Sequence, residues 1–458
     1  MVVGSQSKNL TFDVIYVIIW YNDKCILLGG MFCMKCKKIP YIASVFVLLT
    51  LLLCMAGCSM SGEPEYAIIS TGNTSADGMF QYDVYENRTA VITGGTANDI
   101  CLTIPAMLDG YPVVEIGDGA FAENVRISYL ILGENVRKIS FSAFNQCAAL
   151  IRVDATPALR IIADSAFAGC TALCELNGAT KLETIGESAF FQCSSLVKAP
   201  LPDTLKNIDM QAFYGCTSLN EVRIPKNVTV LKDSVFGFCN SLVRIDLGEV
   251  SVIEANVFQR CTALCSITFG KTVTSIGESA FRGCYALADV QFLGKVNDIG
   301  YCAFEETAWM MAQTDEFVIA GNGVLLRYNG TAADVVIPSG VRVIADAFCD
   351  NDHIKSVTVP DSVVTIGSAA FGCCGQISRV VIGKKVQTIA DGAFAGCSML
   401  ATVYLPKSLT YVGNGAFSGC ILLSDVNYAG TARDFAKITV ENGNTTLTAA
   451  TLKTSQRY

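Results

Sequence analysis

Histidine is almost missing from this chain: His353 is the only one in 458 residues. A scarcity of that kind removes the commonest general base and the commonest neutral metal ligand. His353 follows Asp350-Asn351-Asp352, which reads as a solvated polar turn. No P-loop, HExxH or nucleophilic-serine motif stands elsewhere. Charged residues make up only 16% of the chain, and acids outnumber bases, 41 to 33. With a net charge of -8 and no basic patch interleaved with aromatics, an electrostatic grip on nucleic acid or anionic lipid is disfavoured. There are two tryptophans, Trp20 and Trp309, too few for an aromatic platform along a binding face. Long apolar runs are also few, and the one that stands out lies near the N-terminus.

Residues 34–58 read MKCKKIPYIASVFVLLTLLLCMAGC. Lys35, Lys37 and Lys38 form a positive start, residues 39–53 an apolar run, and Met55-Ala56-Gly57 a small-residue approach to Cys58. Such a segment directs export. The ending resembles the lipobox of bacterial lipoproteins, which implies cleavage before Cys58 and lipidation of its thiol; Met55 stands where leucine is commonest. A retained membrane helix is the other reading, because the run approaches the roughly 20 residues a span needs. Either way the remainder is expected outside the cytoplasm, lipid-anchored at the surface or secreted. Residues 1–33 fit poorly before an export signal, so translation is expected to start at Met31 or Met34, with the apolar stretch 14–20 lacking a structural role.

A phenylalanine recurs at 121, 144, 167, 190, 213, 236, 258, 281, 304, 348, 371, 394 and 417, and ten of the twelve intervals are 23 residues. One structural period therefore governs the chain, as in a solenoid. Aligned on that Phe, the preceding residue is Ala in eleven of thirteen units and the residue three later is Cys in ten. Alternation follows, as in Leu219-Asn220-Glu221-Val222-Arg223-Ile224-Pro225. There Val222 and Ile224 point inward with the period of a half-buried strand. Each unit is expected to run strand, turn, a second short extended piece and a compact helical turn around Ala-Phe. Stacked units then build a parallel sheet.

The unit, exemplified by VTSIGESAFRGCYALADVQF, resembles the BspA-like leucine-rich repeat. FQYDVYENRTAVITG with DGYPVVEIGDGAF is similar to the lead-in of such proteins, and NYAGTARDFAKITVENGNTTLTAATL to their C-terminal cap, with Phe435 where the family usually has Trp. The long interval after Phe304 holds TAWMMAQTDEFVIAGNGVLLRYNG, similar to a hairpin insert these arrays carry. Strands are expected at residues 317–320 and 324–328 around Gly321-Asn322-Gly323. The fold expected is an α/β solenoid, a leucine-rich-repeat-like right-handed coil of about 13 repeats of 23 residues with a parallel β-sheet. The expected order is an upstream extension at 1–33, a lipoprotein signal at 34–57, a linker at 58–79, and an N-terminal cap at 80–115. The repeat array then runs over 116–425 with its insert at 308–330, and a C-terminal cap fills 426–458.

Ten of the twenty-one cysteines share one repeat phase. Steps of 23 residues set thiols in a line along the axis, unlike the converging ligands of a zinc site, so a buried ladder of mostly free thiols is expected. Cys170/Cys174, Cys261/Cys265 and Cys373/Cys374 lie off that ladder and are the candidates for oxidation. No metal or other cofactor is implied.

Candidate binding residues are those the period fixes in place but not in kind. Eight residues after seven of the repeat phenylalanines stand Tyr129, Arg152, Glu175, Lys198, Glu221, Arg244 and Asp289. From Arg152 to Arg244 the sign alternates, which predicts cross-strand ion pairs. Two positions on stand Asp154, Asn177, Arg223, Asp246, Gln291 and Tyr404. Trp309 and Tyr328 are candidate contacts on the insert. The resemblance implies adhesion to host, matrix or cell-surface proteins, without enzymatic activity. A structural spacer of the envelope and a glycan-binding surface protein are the other readings.

Overall fold

A computed structural model of the chain describes residues 18–21, 24–27, 66–96 and 100–454. Ile18–Tyr21 and Lys24–Leu27 pair as an antiparallel hairpin. The signal segment at residues 34–57 and Cys58 lie outside the described residues.

Most coils supply two strands. The longer carries the alternating segment, as in Arg152–Asp154 and Glu221–Arg223, whose central residue is buried and whose outer residues face out. The shorter has two residues, as in Lys138–Ile139 and Thr184–Ile185. Both kinds pair in parallel with the same position of the next coil, for example Arg152 with Glu175 and Ile139 with Ile162. The result is a parallel β-solenoid of about 16 turns, more than the 13 phenylalanines mark. The additional turns lack the Phe: Ala90–Gly95 precedes the first, Val324–Tyr328 fills the long interval, and Thr439–Val440 follows the last.

Between the short strand and the long one the chain makes consecutive tight turns, where a compact helical turn was expected. In one coil Ala143 N–H donates to Ser140 and Cys147 N–H to Phe144, while Ser142, Phe144 and Gln146 donate to Asp164, Ala166 and Ala168 of the next coil. Alternate amides thus bond within the coil and between coils, so the backbone is satisfied without a helix. The geometry needs left-handed backbone two residues before and two after the Phe, as at Ser142 (φ 52°) and Gln146 (φ 59°). Glycine meets this need at Gly169, Gly215 and Gly283.

Phe121 through Phe304 form one stack of rings, with successive centroids 5.2–5.8 Å apart. Phe348 through Phe417 form a second. The ten cysteines of the repeat phase are buried beside them, and each thiol donates to the carbonyl of the preceding coil's Phe, as Cys216 does to Phe190 at 3.2 Å. They are therefore fasteners between coils as well as filler. Burial pushes Cys284, Cys374 and Cys420 up to about 12, which leaves them without thiolate reactivity at neutral pH. Cys174, Cys265 and Cys373, the off-ladder candidates, are free thiols as well.

The core divides at the insert into one cluster ahead of it and one behind. Phe317–Ala320 and Val324–Tyr328 pair as the expected hairpin, and the second strand continues in parallel with Val343–Ile344. Across the break, the half-buried Asp346 carboxylate accepts the Cys302 N–H at 2.9 Å. In an uninterrupted coil that amide bonds a backbone carbonyl, as Ser279 does to Tyr301, so a side chain splices the ladder. At the N-terminal end Ile68–Thr74 pairs antiparallel with Phe80–Tyr85; part of the expected linker is thus a strand of the cap. At the other end Phe435 packs edge-on against Tyr428, centroids 5.3 Å apart.

Candidate functional site

The long strands align the exposed candidates on one face. At the N-terminal end Tyr129, Arg152 and Glu175 stand in register on three paired strands, as do Ile131, Asp154 and Asn177. Arg152 bonds Asp154 at 2.8 Å and reaches Glu175 at 3.4 Å, so the expected cross-strand pair forms here. Toward the C-terminal end Arg379 lies over the Tyr404 ring, 5.4 Å from its centroid. Between them Asp289 accepts from the Gln291 amide at 3.1 Å.

The alternation of charge fails to give a ladder of five strands. Lys198 lies on a bend, and its coil forms no long strand between Glu175–Asn177 and Glu221–Arg223, only the short Asn207–Ile208. The local sequence is Lys198-Ala199-Pro200-Leu201-Pro202. Pro200 has no N–H for a ladder, and Ala199 occupies the inward place that Val153, Leu176 and Val222 fill in neighbouring coils. Glu221 and Arg244 face each other in register but make no ion pair. Arg223 reaches Asp246 only at 3.9 Å, with both side chains mostly exposed.

An open hollow of about 530 Å³ follows this lapse, lined by Lys198, Glu221, Arg223, Arg244 and Asp246, with Val222 and Ile245 as its floor and Ser266 and Thr268 at its far side. Seen as chemistry, it offers cations, carboxylates and hydroxyls for hydrogen bonding, with no nucleophile–base pair. Among the described residues no three His, Cys, Asp or Glu side chains converge to hold a metal ion.

The insert residues are packed inward. Trp309 sits on the short helix Ala308–Met311 with its ring 5.1 Å from Phe304 and 6.4 Å from Phe292. Tyr328 is buried, its ring 5.1 Å from Phe317 and 5.2 Å from Phe348. Neither is displayed at a hairpin tip, because the insert closes over the two ends of the divided core. A half-exposed row was not anticipated: Phe191, Tyr214 and Phe238 stack along the turn edge with centroids 5.2 and 5.1 Å apart, and Arg260 lies over Phe238. Its signal was an aromatic one or two residues after three consecutive repeat phenylalanines.

The model of the BspA type leucine rich repeat region matches residues 109–209, 183–309 and 327–445. The chain belongs to this repeat family. No curated protein matches it. Among solved structures it is similar to a T. pallidum leucine rich repeat protein, 34% identical over 42% of this chain and 91% of that one, with a TM-score of 0.40. It is also similar to a leucine rich cell surface protein of Faecalibacterium prausnitzii A2-165, 27% identical over 83% of this chain and 98% of the other, TM-score 0.42. A third is the pneumococcal vaccine antigen PcpA, 16% identical over 84% and 89%, TM-score 0.34. BspA type repeats thus account for both the period and the repeated strand face. Among the described residues no helix is long and apolar enough to cross a membrane.

Proposed function

We propose that this BspA type repeat protein is a non-enzymatic surface adhesin that binds an extracellular protein through its long-strand face. The observation that carries the reading is the row of exposed, chemically varied side chains held in register by pairing, from Tyr129, Arg152 and Glu175 onward. A rigid scaffold presents them with little ordering cost on binding. Reversing the charges of Arg152, Glu175, Arg223 and Arg244 together is expected to abolish saturable binding to cells or matrix protein while the circular dichroism spectrum is kept. Unchanged binding by that folded variant would leave the spacer reading in its place.

Export and lipidation at Cys58 put the array on the outer face of the membrane. The supporting observation is the positive, apolar and small-residue order of residues 34–58. Cys58→Ala is expected to move the protein from the membrane fraction to the soluble fraction. Continued membrane retention would favour a helix anchor.

A further inference from the structure

Charge on the strand face is spread unevenly once partners are considered. Arg152 is neutralised by Asp154 and Glu175, and Lys453 by Asp425 at 2.5 Å. Around the hollow the cations stand apart: the side chains of Lys198 and Arg244 make no ion pair or hydrogen bond with any described residue, and Arg223 has only Asp246 at 3.9 Å. An unpaired exposed cation is ordinary, but two of them, with the loosely paired Arg223, line one depression beside a lapse in strand pairing. Its lining comes from four successive coils, each step about 4.8 Å, so the hollow spans several residues of an extended chain laid across the coils. Glu221 and Asp246 interrupt the positive charge. They penalise a uniformly sulfated or uronic polymer, which carries negative charge on unit after unit, and they suit a peptide whose acids come singly.

We propose that this hollow takes an acidic, extended segment of the partner protein, with its carboxylates on Lys198, Arg223 and Arg244. The inference rests on the strand-face reading and names the chemistry of its ligand. The test measures binding of the intact protein to a short peptide alternating Glu and Ser, beside the Gln and Ser counterpart and heparin. The Glu peptide is expected to bind saturably and to weaken with salt, and the Gln peptide to show no binding. Lys198→Gln with Arg244→Gln is expected to weaken it about tenfold, two exposed charge contacts each contributing a few-fold. Arg379→Gln, on the same face beside Tyr404, is expected to change nothing. Absence of peptide binding, indifference to the double variant, or tighter binding of heparin than of the peptide overturns the inference. If cell binding survives the double variant yet is lost on the four-residue charge reversal, only the hollow is wrong. If it survives both, the strand-face reading itself fails.

Discussion

Phe213→Ala is expected to destabilise the array by about 3 to 5 kcal/mol, the range for emptying a fully buried aromatic site. The ring is fully buried and stacked 5.3 Å from Phe190 and 5.5 Å from Phe236. Two features keep the loss near the upper end. Phe213 N–H donates to Val235 of the next coil and Cys239 Sγ–H to the Phe213 carbonyl, so backbone bonds on both sides hold the spacing. The neighbours therefore cannot close on the vacated volume, and the cavity persists. Phe417 has a stacking partner on one side only, and its truncation is expected to cost less. Urea unfolding followed by circular dichroism reads both. A loss below about 1 kcal/mol at Phe213 would mean that the coils relax, contrary to the ladder argument.

That contrast separates what the sequence made legible from what it hid. A period of 23 with apolar alternation specifies stacking, because a residue that repeats must meet its own copy. Hence the ring stack, the buried thiols and the Glu221–Arg223 strand follow from spacing. The hairpin at Phe317–Ala320 and Val324–Tyr328 was equally plain, since Gly321 and Gly323 supply positive φ at its turn. The tight turns around Ala-Phe were less so. Their left-handed positions are often Ser or Gln, as at Ser188 and Gln192, and only intermittent glycines two residues before or after the Phe, as at Gly392 and Gly169, hint at them.

The candidate face was legible in its positions and misjudged in its pairing. Alternating sign assumes equally spaced strands, and Ala199-Pro200 removes one of them. The consequence is larger than a missing ion pair, because the lapse turns a neutralised ladder into a hollow with free cations. Trp309 and Tyr328 were misleading for another reason. An aromatic in an insert suggests display, but an insert that divides a core must also seal it, and these two rings lie against Phe304 and Phe348.

Gly178→Ala is expected to be the second severe substitution, at about 2 to 5 kcal/mol. Gly178 follows the strand Glu175–Asn177 with φ +82°, and a Cβ there would lie 2.0 Å from the Ala155 carbonyl oxygen. Left-handed backbone alone costs an alanine about 1 to 2 kcal/mol. The clash adds the overpacking penalty of about 1 to 3 kcal/mol, since the obstacle is main chain and cannot rotate away. Ala155 N–H donates to the Asn177 carbonyl at 2.8 Å, so relief of the clash pulls on the bond that joins the two coils. Gly110 isolates the two contributions: its φ is +88° but a Cβ there meets nothing within 4 Å, and Gly110→Ala should show the backbone cost alone. Equal losses at the two sites, measured by urea unfolding, would show that the coil at Ala155 yields freely. A larger loss at Gly178 means the coils beneath Arg152 and Glu175 are held rigidly, as a face that binds without rearrangement requires.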